Sequence, residues 1–382
     1  MTNTTLEKWE EKTLDEVLNK VQYTSKIQSK LYKKEGKYPI ISQEDAFISG
    51  YWDNPNDVYH VKHPIVIFGD HTKVVKYIDF DFVLGADGVK ILDPAKYINA
   101  KFLYYWTRYV PLRNLGYARH YKLLSKKTIR FPSLPEQKRI VAKLDEAFEA
   151  IDKVKANAEQ NLTNAKELFE SCVNETYANL SLTEKQCHIS DIAKIKGGKR
   201  VPKGYKLISQ KTAHPYIRVA DFDDYGSVDL SDIHYITEDI YQQISNYTIS
   251  VKDLYISIAG TIGKSGIIPN ALEGANLTEN ACKLVFLNNI YNKFVYYFTK
   301  TRYFIYETQT KTRTAAQPKL ALSRLATIKI PVPSINIQQK IVEKLDALQE
   351  QTKQLEQIYT QKIKECDELK QSILQKAFRG EL

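Results

Sequence analysis

Cysteine is scarce in this chain: four residues in 382, Cys172, Cys187, Cys282 and Cys366, with no CxxC pair. That number and spacing fit neither a disulfide framework nor a zinc site, so a reducing compartment is expected. The seven histidines are equally scattered, and no metal is expected; His188 beside Cys187 reads as incidental. Long apolar runs are missing too. None approaches the ~20 residues a membrane helix needs, and the opening MTNTTLEKWEEK lacks a hydrophobic signal core, so a soluble, cytoplasmic protein is expected. There is no Gly-x-Ser-x-Gly elbow, no HExxH and no recognisable carboxylate pair. The chain reads as a binding protein rather than an enzyme.

What is present is enough apolar material, 43% of residues, for two globular units with connectors. Basic residues outnumber acidic ones by 55 to 45, a net charge of +10 that suits an acidic partner such as nucleic acid. The excess is unevenly placed. Residues 1–128 carry 20 basic and 15 acidic side chains and residues 189–328 carry 18 and 12, whereas 129–188 carry 8 and 10 and 329–382 carry 9 and 8. Two basic blocks thus alternate with two nearly neutral stretches.

The neutral stretches are copies of each other. Residues 129–178 repeat at 330–379 with a constant offset of 201, so that IRFPSLPEQKRIVAKLDEAF lies over IPVPSINIQQKIVEKLDALQ. Identities include Pro132/Pro333, Gln137/Gln338, Ile140/Ile341, Leu144/Leu345, Asp145/Asp346 and Leu168/Leu369. Each copy reads as a helix of about 40 residues with a heptad seam. The first seam is Ile140, Leu144, Ala147, Ile151, Val154, Ala158, Asn161, Ala165, Leu168 and Cys172. The second is Ile341, Leu345, Leu348, Thr352, Leu355, Tyr359, Lys362, Cys366, Leu369 and Ile373. Ser133 with Glu136 forms a capping-box pattern that Ile337 weakens in the second copy, and Gly380 suits a C-terminal cap.

The basic blocks are strand-rich, with PIVIFG (64–69), YIDFDFVLG (77–85), DLYISIAG (253–260) and CKLVFL (282–287) as short apolar segments between turns. Each ends in matching helical text, KFLYYWTR (101–108) and KFVYYFTK (293–300), so the blocks are diverged copies as well. The expected fold is α+β. Two pseudo-repeated α/β domains, residues 1–131 and 181–331, are joined by two long helices, 132–180 and 332–382, that zip into an antiparallel coiled coil.

AGTIGKS (259–265) imitates a phosphate loop but has Ile258 where that motif needs glycine. It reads better as a turn at a strand end presenting Lys264, Ser265 and backbone amides to a DNA phosphate or base edge. GDHTK (69–73) holds the equivalent place in the first block, with His71 and Lys73 at its tip. KGGKR (196–200), RTAAQPK (313–319) and YARHYK (117–122) also mix basic with small, polar or aromatic residues. The candidate DNA-binding set is therefore His71, Lys73, Arg119, His120, Lys122, Lys199, Arg200, Lys264, Ser265, Lys311, Arg313, Gln317 and Lys319. Arg119, Arg313 and Gln317 are the candidate base readers, because Arg and Gln reach bidentate patterns on guanine and adenine. Solvated charge and structural turns explain the same residues without DNA.

Over essentially its whole length the chain resembles the specificity subunits of type I restriction-modification systems. The resemblance rests on PSLPEQKRIV (132–141), PSINIQQKIV (333–342), the closing SILQKAFRGEL (372–382), and GKYPIISQEDAFISGYWD with IVIFGDHTKVVKYIDFDF in the first block. It implies two target-recognition domains, each reading one half of a bipartite double-stranded DNA site, and spacer helices that set the gap. It also implies two adenine-N6 methyltransferase subunits carrying S-adenosylmethionine, and restriction subunits using ATP and Mg, with no cofactor in this chain. The methyltransferase Asn-Pro-Pro-aromatic signature is absent. Ile337 for the usual Glu, and the polar seam positions Thr352 and Lys362, depart from the family pattern. A stand-alone bivalent DNA-bridging or repressor protein is the alternative reading.

Overall fold

The computed structural model describes residues 9–86, 88–312 and 318–382. The chain divides into two compact units, Met1–Glu159 with Thr360–Leu382, and Gln160–Tyr359. The two long helices, Leu134–Thr183 and Ile335–Arg379, run 50 and 45 residues, and each contributes one end to each unit. No helix among the described residues is long and apolar enough to cross a membrane.

In the first unit, IVIFG at Ile65–Gly69 is buried along its whole length. It pairs antiparallel with Val75–Ile78 on one side and Val89–Leu92 on the other. A five-stranded mixed sheet, built on Phe82–Gly85 and Tyr38–Ile41, lies beside it. The chain enters and leaves through Glu10–Thr13 paired with Thr128–Phe131. The helix Ala100–Tyr109 begins at Asn99, whose side chain accepts hydrogen bonds from the amides of Lys101 and Phe102. It buries Phe102, Leu103 and Trp106 against Ile140, Leu144 and Phe148 of one long helix and Leu374, Ala377 and Phe378 of the other.

The second unit repeats the plan. Ala193–Gly197, Ala281–Phe286, Leu254–Ser257 and Ser265–Gly266 form a four-stranded antiparallel sheet, and Gln186–His188 pairs with Lys329–Pro331 at the entry and exit. Phe294, Val295 and Phe298 of the helix Asn292–Thr299 share a core with Val173 and Tyr177 of one long helix and with Val342 and Leu345 of the other.

The same polar clamp fixes domain to helix in both units. Gln137 and Gln338 are fully buried. Gln137 accepts from the amide of Asn99 (2.8 Å) and donates to the carbonyls of Tyr97 and Pro132 (2.9 Å each). Gln338 accepts from the amide of Tyr291 (2.9 Å) and donates to Asn289 (3.1 Å) and Pro333 (2.9 Å). Two turns on, Asp145 accepts from Lys101 (2.8 Å) and Tyr105 (2.5 Å), and Asp346 from Lys293 (2.7 Å) and Tyr297 (2.6 Å). Burial, and then the bond to a carboxylate, pushes both tyrosines well above their usual pKa, so each stays a donor.

The heptad reading of the seam needs correcting. Val154, Leu168, Leu355 and Leu369 are exposed, at 42, 62, 39 and 50%, and Asn161 and Lys362 are exposed as well. The residues one position later, Lys155, Leu162 and Phe169 in the first helix and Glu356, Ile363 and Lys370 in the second, are half-buried in their place, whereas the alternate seam positions Ala158, Ala165, Thr352 and Cys366 are buried and Cys172 and Tyr359 half-buried as read. Ile140, Leu144 and Ile151 stay buried, as does Leu345, while Ile341, Leu348 and Ile373 are half-buried. Both helices insert a second step of four, Ala147–Ile151–Lys155 and Leu348–Thr352–Glu356. A strict seven-residue repeat needs 3.5 residues per turn, and an extra step of four brings the contact stripe back to the 3.6 of a straighter helix. Within the first unit the helices are antiparallel, with Lys155 on Asp367 (2.7 Å) and Lys370 on Asp152.

At the ends, Gly380 takes a left-handed φ of 77° and the Glu381 amide reaches back to Lys376 (2.9 Å), closing the second helix as its sequence suggests. At the start of the first, the Glu136 carboxylate is gripped by both Nε and Nη2 of Arg139.

Removing the glutamine clamp leaves three backbone groups without their partner, one of them buried and two part-buried. Gln137→Ala should cost about 2–4 kcal/mol and lower the urea midpoint followed by tryptophan fluorescence, since all three tryptophans, Trp9, Trp52 and Trp106, belong to the first unit. Gln338→Ala should lower the midpoint followed by circular dichroism. An unshifted transition in both variants would show that the clamp is not holding the domains.

Candidate nucleic-acid interface

In the first unit the GDHTK turn lies at the end of the buried strand Ile65–Gly69, and the loop carrying YARHYK is pinned to it. The His120 amide donates to the Asp70 carbonyl (2.7 Å), and the Tyr121 amide donates to the Asp70 carboxylate (2.8 Å). His120 itself is fully buried. Its Nε2 lies 3.1 Å from the Leu115 amide that donates to it, and its Nδ1 is 3.1 Å from the Asp70 carbonyl, which fixes the Nδ1–H tautomer. His120 is therefore a pin for the loop and not a surface contact, which corrects the sequence reading. Arg119 and Lys122 beside it are exposed.

The tip is unusual in its own right. Lys73 holds a left-handed φ of 63°, a conformation costly for a side-chain-bearing residue and most often kept at functional turns. His71 stacks on Tyr117, ring centroids 4.7 Å apart and planes 11° from parallel. Lys73 also lines an open cleft of about 330 Å³ with Phe68, Thr107, Arg108 and Leu112.

The second unit joins the corresponding segments. AGTIGKS forms the hairpin between Leu254–Ser257 and Ser265–Gly266, with glycines 260 and 263 at φ 75° and 89°. Leu320, next to Lys319, donates its amide to the Ile258 carbonyl (2.9 Å), and Ala259 bridges to Lys319. Ser265 is fully buried and hydrogen-bonded to Thr299 (2.5 Å), so it supports the hairpin and presents nothing to a ligand. The amides of Ile262, Gly263 and Lys264 are likewise used inside the turn, bonded to Gly260, Ser257 and Thr261. Both findings correct the sequence reading, and the reason is the same: a two-residue strand begins where the motif suggested a loop.

Lys264 is half-buried and paired with the exposed Asp224 (2.8 Å), a bond that holds the Asp224 carboxyl below its usual range. Arg200 extends from the KGGKR strand end to Glu279 (2.6 Å), and Lys199 lies over the Tyr247 ring at 5.6 Å. Asn280 next to Glu279 accepts at its carbonyl from the amides of Ile258 and Ala259, so the KGGKR and AGTIGKS segments meet there. Lys311 pairs with Glu307 (3.3 Å), and Lys319 is exposed. Arg313 and Gln317 lie outside the described residues.

Two cations escaped the sequence search. Arg108 and Lys300 end the matching texts KFLYYWTR and KFVYYFTK, and each lies near the tip lysine of its unit. Burial first, and the neighbouring Lys264 next, push Lys300 down to about 8. Their shared place in the repeat was the available signal. Among the described residues no cluster of His, Cys, Asp and Glu could hold a metal, and burial pushes the Cys282 thiol up to about 12, leaving it unreactive near neutrality.

The structure is thus a duplicated α/β domain that carries cations at its strand tips, each copy mounted on the long helices. A family model for the type I restriction modification DNA specificity domain matches residues 6–164 and again 184–365, and the chain belongs to that family. The Escherichia coli EcoR124I/EcoR124II type I restriction enzyme specificity subunit is 26% identical over 340 residues, 84% of this chain and 81% of that one. The E. coli EcoBI specificity subunit is 25% identical over 289 residues, 68% of this chain and 60% of that one. Among solved structures, a chain from a study of complex assembly and conformational transition of the type I R-M system matches with a TM-score of 0.76 at 17% identity, covering 98% of each chain. The HsdS subunit from Thermoanaerobacter tengcongensis matches with a TM-score of 0.55 at 19% identity, covering 98% of this chain and 97% of that one.

Charge reversal at the tips, Lys73→Glu or Lys264→Glu, should weaken DNA binding for all sequences alike and flatten its salt dependence by about one unit of slope. Affinity measured by anisotropy across a salt series checks this; an unchanged slope would take those lysines away from the phosphates.

Proposed function

We propose that this chain is the non-catalytic reader of a type I restriction-modification complex and recognises a bipartite double-stranded DNA site, one half per domain. The observation that carries the reading is the joining, in each unit, of a strand-tip turn and a basic loop on a domain locked to the long helices by the same glutamine and aspartate. Candidate contacts are Lys73, Arg119 and Lys122 in the first unit and Lys199, Arg200, Lys264, Lys311 and Lys319 in the second, with Arg313 and Gln317 retained from the sequence. Two methyltransferase subunits supply S-adenosylmethionine and the adenine-N6 chemistry, and restriction subunits supply ATP- and Mg-dependent cleavage. The exposed Val154, Leu168, Leu355 and Leu369 give the helices apolar surface for the modification subunits to cover. The whole assembly works on cytoplasmic DNA.

The domains should read independently. Exchanging residues 189–328 for another recognition domain should change one half of the methylated motif and leave the other half intact, as mapped by single-molecule sequencing. A change in both halves would contradict separate modules.

The helices should act as a ruler. Seven residues added to both helices at matching positions lengthen each by about 10 Å, near three base pairs of B-DNA. The methylated motif of the lengthened variant should show a gap wider by about that amount, and an unchanged gap would end the ruler reading.

A further inference from the structure

The first unit has one large aromatic side chain almost wholly in solvent at its candidate interface. Tyr117 is 85% exposed. The loop that carries it is not slack: His120 pins it from below, the Gly116 amide bonds Asn114 (3.1 Å), and Gly116 turns it through a φ of 65°. Among the described residues, the ring that stacks on Tyr117 is His71. The His71 backbone is held in turn, its amide tied to Gln43 Oε1 (3.1 Å). The near-parallel stack places the His71 ring as a support for Tyr117. With Lys73 at a positive φ two residues away, an almost fully exposed ring and a left-handed backbone meet on one small surface, a combination that points to function.

We infer that Tyr117, propped on His71, is a specificity-determining contact of the first domain, packing its exposed ring against a base of the half-site that this domain reads. The inference rests on the DNA-reading proposal and deepens it. In the groove of a duplex the ring meets a base edge, the thymine methyl above all, and a ring already held in place loses little freedom on binding. Lys73, two residues from His71, supplies a phosphate contact that holds register, and Arg119, two residues from Tyr117, stays a candidate base reader beside it.

The test uses the full chain and duplexes carrying its methylated motif, intact or with either half scrambled. Wild type should lose about tenfold or more in affinity when either half is scrambled. Tyr117→Ala should bind the intact duplex and one of the two scrambled duplexes within about twofold of each other, while still rejecting the other scrambled duplex. His71→Ala should relax the same half, and Tyr117→Phe should keep both discriminations because the ring remains. Full discrimination of both halves by Tyr117→Ala, or loss at both halves together, overturns the assignment. A wild-type chain indifferent to both scrambled duplexes overturns the DNA-reading proposal itself, and the Tyr117 assignment with it.

Discussion

The structure depends on a buried glutamine that satisfies three backbone groups at once, used twice. A recognition domain that is to aim side chains at DNA must not swivel on its support. Gln137 and Gln338 prevent that by bonding the long helix to the segment just before the domain's helix and to the chain just before the long helix itself. Asp145 and Asp346 add a second point of attachment two turns along, through a lysine and a tyrosine of the domain helix. Two separated attachments fix orientation, which one cannot. The residues that make them are identical in both copies, whereas the tips GDHTK and AGTIGKS have diverged. Mounting is held constant while the tips vary, as the proposed bipartite reading requires.

Much of this was legible in the sequence. The offset of 201 placed both helices, and Gln137/Gln338 and Asp145/Asp346 stood among its identities, although their bonding could not be read from spacing. One row of the seam, Ala158, Ala165 and Cys366 among it, was legible throughout, while the other slipped by one residue from Val154 and Leu355 onward, because a list of apolar positions does not reveal whether helices supercoil enough to sustain 3.5 residues per turn. Val154 and Leu355 look like better seam residues than Lys155 and Glu356. Geometry overrides that preference.

At the interface, sequence located segments better than side chains. GDHTK with YARHYK, and AGTIGKS with the end of RTAAQPK, were separate candidates, and in each unit the structure joins them by a backbone hydrogen bond. His120 and Ser265 turned inward, because a polar residue beside a strand tip is often needed to tie the turn down. Tyr117 was passed over, since neither its exposure nor its stack on His71 leaves a mark in local sequence. In the second unit Lys264, Arg200 and Lys311 are each engaged by a carboxylate. On the proposed reading a phosphate must displace that carboxylate, which trades one ion pair for another and restrains indiscriminate binding to DNA.

The most direct measurement is to co-express the chain with its methyltransferase partner and map N6-methyladenine across the host genome by single-molecule sequencing. The account predicts a bipartite methylated motif that is present with the chain and lost without it. A partner that is active with other specificity chains but leaves no motif with this one would contradict the account and favour a protein that only bridges DNA.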